Sequence, residues 1–125
     1  MKIELDSTLT NPYRIKSYEQ GSIQIGDEKF NSSLIITPSI IINNWPPQIF
    51  TDIASHHLEQ IFELKPEIIL LGTGSKQQFP DTELFFSTAK LNIGFEVMDT
   101  GAACRSYNIL LQEGRNVAAA LFMIE

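Results

Sequence analysis

The run Ile68-Ile69-Leu70-Leu71, ending in Gly72-Thr73-Gly74-Ser75, constrains this chain more than any other stretch. Four apolar residues without a polar interruption suit a strand covered on both faces, as strands of parallel sheets are. A glycine-rich turn directly after it lets the backbone reverse sharply and brings its amides close to whatever lies at the sheet rim. In open α/β sheets that rim is where ligands are held.

From about residue 51 the pattern alternates helix, strand, helix, strand, helix, strand. Thr51 or Ser55 can cap a helix with Leu58, Ile61 and Phe62 on one face, stopped by Pro66. Asp81 can cap a second helix carrying Leu84, Phe85, Ala89 and Leu91, with Gly94 as its left-handed end, and Phe95 to Met98 is the next strand. Thr100 is the cap of a third helix with Ala103, Tyr107, Leu110 and Leu111 at helical spacing, ending near Gly114, before a long apolar strand, Val117 to Ile124. Residues 1–50 read differently. Short apolar groups broken by Gly21, Gly26-Asp27 and Pro38 predict consecutive short strands, antiparallel because neighbours are so close. The run Ile40 to Ile42 leads into Trp45-Pro46-Pro47, where two prolines end ladder donation, so that segment is an edge or a connection.

A chain of 125 residues with 43% apolar content suits one domain, here 1–125, with a substantial core. A net charge of −6 opposes a phosphate backbone and speaks against nucleic acid as a partner. Met1 to Asn11 lacks a signal-peptide core and no apolar run spans a bilayer, so the expectation is a cytoplasmic protein that is not itself transmembrane. Cys104 is the only cysteine, which excludes an internal disulfide and the usual Cys-x-x-Cys zinc site; no metal or cofactor is expected.

Two loops draw attention as binding elements. Gly72, Thr73, Gly74 and Ser75 offer amides and hydroxyls, and Lys76 adds a cation suited to an anion, but the spacing is neither a P-loop nor a dinucleotide fingerprint. Asp99, Thr100 and Gly101 open the third helix, and its slim first turn, with Ala102 and Ala103, permits close backbone approach. If the strands ending at Leu71 and Met98 are parallel neighbours, both loops open at one rim and share a cleft, to which Lys76 and Arg105 would bring positive charge. The bland alternative is a short structural turn, an Asp99 that complements the helix dipole and an Arg105 paired at the surface. Cys104, early in a helix, is a weak nucleophile candidate without an assured base; a lone cysteine beside Ala102 and Ala103 is more often a small buried packing residue. His56 and His57 diverge on a helix and make a poor metal pair. Trp45 is either a core plug or a partner anchor.

The order Leu71-Gly72-Thr73-Gly74, Glu96-Val97-Met98-Asp99-Thr100, Ala102-Ala103-Cys104-Arg105-Ser106-Tyr107-Asn108, then Glu113-Gly114-Arg115-Asn116-Val117 resembles a widespread family of small proteins that includes mitochondrial complex I assembly factor three. Tyr18, the Gly21 to Gly26 turn and Trp45 extend the likeness over nearly the whole chain. Ser106 stands where relatives often carry threonine, which keeps the hydroxyl. The resemblance implies a three-layer α/β fold: a central mixed, largely parallel sheet flanked by helices, with a small additional N-terminal β portion. It carries over no enzyme activity.

The leading expectation is therefore a non-catalytic binding or assembly-type protein, with a protein partner such as a membrane-complex subunit or another assembly factor, and a possible small anionic ligand. By analogy with the family, it would support respiratory complex I assembly. The alternatives are a small hydrolase or transferase, or a metabolite-binding sensor, using the cleft between the Gly72–Ser75 loop and the Thr100 helix start.

Overall fold

A computed structural model describes residues 1–8 and 10–125. Apolar residues alternate through the N-terminal third, and they form a four-stranded antiparallel sheet of β1 (Ile3–Glu4), β2 (Ile15–Glu19), β3 (Ser22–Ile25) and β4 (Glu28–Phe30) in the order β1-β2-β3-β4. Gly21 and Gly26 take positive φ (81° and 59°) at its two tight turns, a conformation glycine adopts without a Cβ clash.

The second sheet is mixed. It contains β5 (Leu34–Ile36), β6 (Ile41–Ile42), β7 (Ile68–Gly72), β8 (Gly94–Met98) and β9 (Val117–Leu121), in the order β6-β5-β9-β7-β8. The strands that alternate with helices, β9, β7 and β8, pair in parallel, whereas β5 pairs antiparallel with both β6 and β9. The sheet is thus mixed as expected, its long ladders on either side of β7 parallel and its short ones on either side of β5 antiparallel. For β5 and β6 the reason is the short return between them, residues 37–40, which is long enough for a hairpin and far too short for a crossover.

Three α-helices are present among the described residues: α1 (His56–Phe62), α2 (Thr82–Lys90) and α3 (Thr100–Gln112). Strand alternation assigns each sheet face a different helical partner. Ile69, Leu71, Ala118 and Ala120 pack with Leu58 and Ile61 of α1, Leu84 of α2 and Trp45. Leu70, Val117, Ala119 and Leu121 pack with Ala103, Cys104, Tyr107 and Leu111 of α3, and this second cluster continues into Ile15, Tyr18, Ile23 and Phe30 of the antiparallel sheet. Each fully buried leucine or isoleucine here contributes about 1.5–3 kcal/mol relative to exposure. Trp45 is a core plug, fully buried, with its indole N–H donating to the His57 carbonyl at 3.3 Å.

Several local expectations change once tertiary contacts are in place. Asn92, not Gly94, holds the left-handed residue after α2 (φ 59°); Gly94 begins β8, where a Cβ would lie 3.3 Å from Ile68 Cγ1. Asp99 is the cap of α3, its carboxylate accepting from the Ala102 amide at 2.9 Å, and Thr100 is the first helical residue. Ser55 and Asp81 precede α1 and α2 without capping through their side chains; the Ser55 hydroxyl bonds the Glu83 carboxylate instead, at 3.2 Å, and Thr51 lies in the 3₁₀ turn Phe50–Asp52. Gly114 closes α3 with φ 74°.

Candidate functional site

Parallel pairing in register carries β7 and β8 out of the sheet together, with Gly72 opposite Met98. The two loops that follow therefore meet. The Gly74 amide donates to the Thr100 hydroxyl at 2.8 Å, the Thr100 amide donates to the Gly74 carbonyl at 2.9 Å, and the Thr100 hydroxyl donates to the Phe122 carbonyl at 2.7 Å. One buried hydroxyl thus ties together the ends of β7 and β9 and the start of α3. The two loops are thus joined directly to each other by hydrogen bonds. A Cβ on Gly72 would fall 2.9 Å from both Leu121 Cδ2 and Thr100 Oγ1, closer than packed atoms tolerate. Glycine is needed there for proximity, not for an unusual φ.

The rest of the motif is spent in the same way. Gly101 lies under the Tyr18 ring, where a Cβ would be 3.0 Å from Cε1. Arg105, one helical turn on, donates to the Tyr18 hydroxyl. The Tyr107 hydroxyl donates to the Tyr13 carbonyl at 2.9 Å. Asn108 donates its amide nitrogen to the Ile15 carbonyl at 2.8 Å and accepts from the Ile15 amide at 2.9 Å, doing for Ile15 what a neighbouring strand would do. Arg105, Tyr107 and Asn108 thus staple α3 to the antiparallel sheet. Cys104 faces the same interior, fully buried, and loss of solvation pushes its thiol up to about 12, too high for a nucleophile near neutral pH.

An open groove of about 340 Å³ lies on the outer side of the glycine loop. Thr73, Gly74, Ser75 and Lys76 form one wall, residues 48–51 the other, and Gln78, Phe122, Met123 and Glu125 complete the lining. Gly74 bends the loop with φ 102°. Within it, the Thr73 hydroxyl donates to the Lys76 carbonyl at 2.6 Å, and the Ser75 hydroxyl donates to the Glu125 carbonyl at 3.2 Å. The Ser75, Lys76 and Gln77 amides have no acceptor among the described residues.

The residues singled out by sequence thus divide. Thr73, Gly74 and Ser75 line the groove, joined by Lys76; Gly72, Thr100 and Gly101 lie packed beneath it; Asp99 caps α3. Arg105 opens instead onto a separate depression of about 190 Å³ with Leu5, Asp6 and Ile109. The wall formed by Gln48 to Thr51 carries no local signal in the sequence beyond the Trp-Pro-Pro exit that precedes it. His57 is also inward-facing: its Nδ1 accepts from the Ala54 amide at 2.9 Å, and burial, then the neighbouring His56, lower its pKa.

The architecture and the motif together find close matches. A Bordetella parapertussis protein of known crystal structure superposes with a TM-score of 0.84 at 35% identity, covering 91% of this chain and 98% of that one. A 13 kDa major membrane protein of Francisella tularensis is 32% identical, covering 88% of this chain and 90% of the relative. NADH dehydrogenase [ubiquinone] 1 alpha subcomplex assembly factor 3 of Danio rerio is 33% identical over 86% of this chain, which spans 62% of that longer protein. Among the described residues, no helix is long and apolar enough to cross a membrane. Residues 15–122 match the family described as protein of unknown function (DUF498/DUF598), and the chain belongs to that family, which also takes in the complex I assembly factors.

Proposed function

We propose that this chain is a non-catalytic, protein-binding assembly factor that supports the building of a respiratory complex of the NADH dehydrogenase type. The observation that carries the reading is the state of Cys104. The one thiol a hydrolase or transferase could use is sealed on the inner face of α3 with its pKa pushed up to about 12, and the polar residues around it are engaged in holding two sheets together. The relatives named as assembly factors of that enzyme supply the class of client. The same proposal treats residues 1–125 as one three-layer domain with an N-terminal β portion and puts its action in the cytoplasm, on a client at the membrane. Deleting the gene in its host and following membrane NADH:quinone oxidoreductase activity and native-gel assembly tests it. A shortfall restored by the intact gene is expected; a fully assembled enzyme in the deletion strain overturns it.

A second reading, a metabolite-binding sensor for small anions, is favoured by the unpartnered Ser75, Lys76 and Gln77 amides beside the groove. Thermal-shift screening with phosphorylated metabolites and nucleotides addresses it. A shift abolished by Lys76→Ala supports the sensor, and none with any of them removes it.

A further inference from the structure

Among the described residues β8 is an edge strand, paired with β7 and with no other strand. Its two ends show which way its backbone faces. The Gly94 amide donates to Glu67 and the Met98 carbonyl accepts from Thr73, so even-numbered residues turn toward β7. Phe95 and Val97, by strand alternation, turn their backbone groups away from the sheet. The Gln77 side chain occupies the Val97 carbonyl at 3.0 Å. The Phe95 amide and carbonyl and the Val97 amide have no partner among the described residues.

Side chains along this edge specify what would pair with it. Phe95 and Val97 are half-buried on the face shared with α1 and α2, with Phe85 of α2 against Phe95 at 5.1 Å between ring centroids. On the opposite face Glu96 is exposed and forms no ion pair among the described residues. Just past Gln77, Phe79 stands exposed on the loop that runs along the same edge. Self-pairing with Phe95 opposite Val97 would set two Glu96 carboxylates directly across from each other, which is destabilising.

We propose that β8 is a strand-addition site for an extended segment of a partner protein, one with apolar residues beside Phe95 and Val97 and a lysine or arginine opposite Glu96. This rests on the assembly reading only in supposing a protein client. Negative charge at Glu96 selects the basic segment, and the open amides of Phe95 and Val97 supply its hydrogen bonds.

The test uses the full chain, ¹⁵N-labelled, with a synthetic peptide alternating valine and lysine and a second in which glutamate replaces lysine. Amide signals of Phe95 and Val97 should shift, with the lysine peptide about tenfold tighter, as expected for opposite against like charge across a ladder. Glu96→Lys should reverse the order. Val97→Pro removes only an outward donor, a change edge strands accommodate, and should abolish binding while retaining the β7 amide signals; if it unfolds, the Glu96→Lys reversal decides. Shifts confined to the groove or Arg105 depression, an unchanged peptide order in Glu96→Lys, or a dimer in solution dissolved by Val97→Pro would each overturn the proposal. Complementation of the deletion strain separates the two readings. Peptide binding without an assembly defect leaves the edge site standing and removes the assembly role; an assembly defect without edge binding does the reverse.

Discussion

The inner face of α3 and the rim around β8 and the glycine loop are built from similar residues and used in opposite ways. On the inner face, Thr100, Tyr107 and Asn108 each meet a defined partner in a neighbouring element, and Gly72 and Gly101 remove the volume that would hold those partners apart. At the rim, Ser75, Lys76 and Gln77 leave three consecutive amides without an acceptor among the described residues, and β8 leaves two more. A motif dense in polar residues is therefore no sign of a binding site by itself. Here the densest stretch is structural, because a polar side chain between two sheets is tolerated only when hydrogen-bonded, and the plainer rim keeps its amides open.

The contrast breaks first at Thr100. Thr100→Val keeps the shape but leaves the Gly74 amide and Phe122 carbonyl unpaired in the interior, and should lower unfolding stability by about 3 kcal/mol in urea titrations. A loss below about 1 kcal/mol would mean that the hydroxyl is not the tie between β7, β9 and α3. Asn108→Ala strips both hydrogen bonds from buried Ile15 and should cost about 2 kcal/mol. Hydrogen exchange should then quicken across β2 and β3 more than across β7 and β9; uniform acceleration would show that α3 does not act as a local staple.

A third measurement concerns the buried thiol. Cys104 has its folded pKa raised from 9.0 to about 12, so the folded chain keeps a proton that the unfolded chain releases. Stability is fully present below pH 9 and falls as pH rises toward 12, by about 1.4 kcal/mol per pH unit from this group. Burial raises the Tyr107 phenol as well, with the same sign. Unfolding titrations between pH 8 and 11 should show the fall, with Cys104→Ala flattening it; an unchanged slope in that variant would place the thiol in contact with water. Smallest of all, Ser75→Ala and Lys76→Ala should each change stability by less than about 0.5 kcal/mol, and a larger loss would make the rim part of the scaffold.

Much of the architecture could be read from residue order. Uninterrupted apolar runs at Ile68–Leu71 and Val117–Leu121 belong to strands buried on both faces, and Gly114 with positive φ ends α3 at the expected position. Helix-to-strand alternation likewise pointed to crossover connections; that β7 and β8 are parallel neighbours, which brings the glycine loop to the start of α3, came from the fold. Less legible was what happens where they meet. Thr100 reads as a cap because threonine before an apolar periodic run commonly is one, yet Asp99 takes that position and frees the Thr100 hydroxyl for contacts 22 and 26 residues away. Arg105, placed by sequence beside Lys76, instead reaches Tyr18, 87 residues distant.

By itself the sequence determined the strands, the helices and the turns between them, because apolar periodicity, proline and glycine act over a few residues. Only the tertiary structure decided which polar groups would be consumed and which left open, since a hydrogen-bond donor is satisfied by whatever the packed chain brings within about 3 Å. That is why Asn108 belongs to the scaffold, while the Phe95 and Val97 amides on the last strand of the sheet face outward.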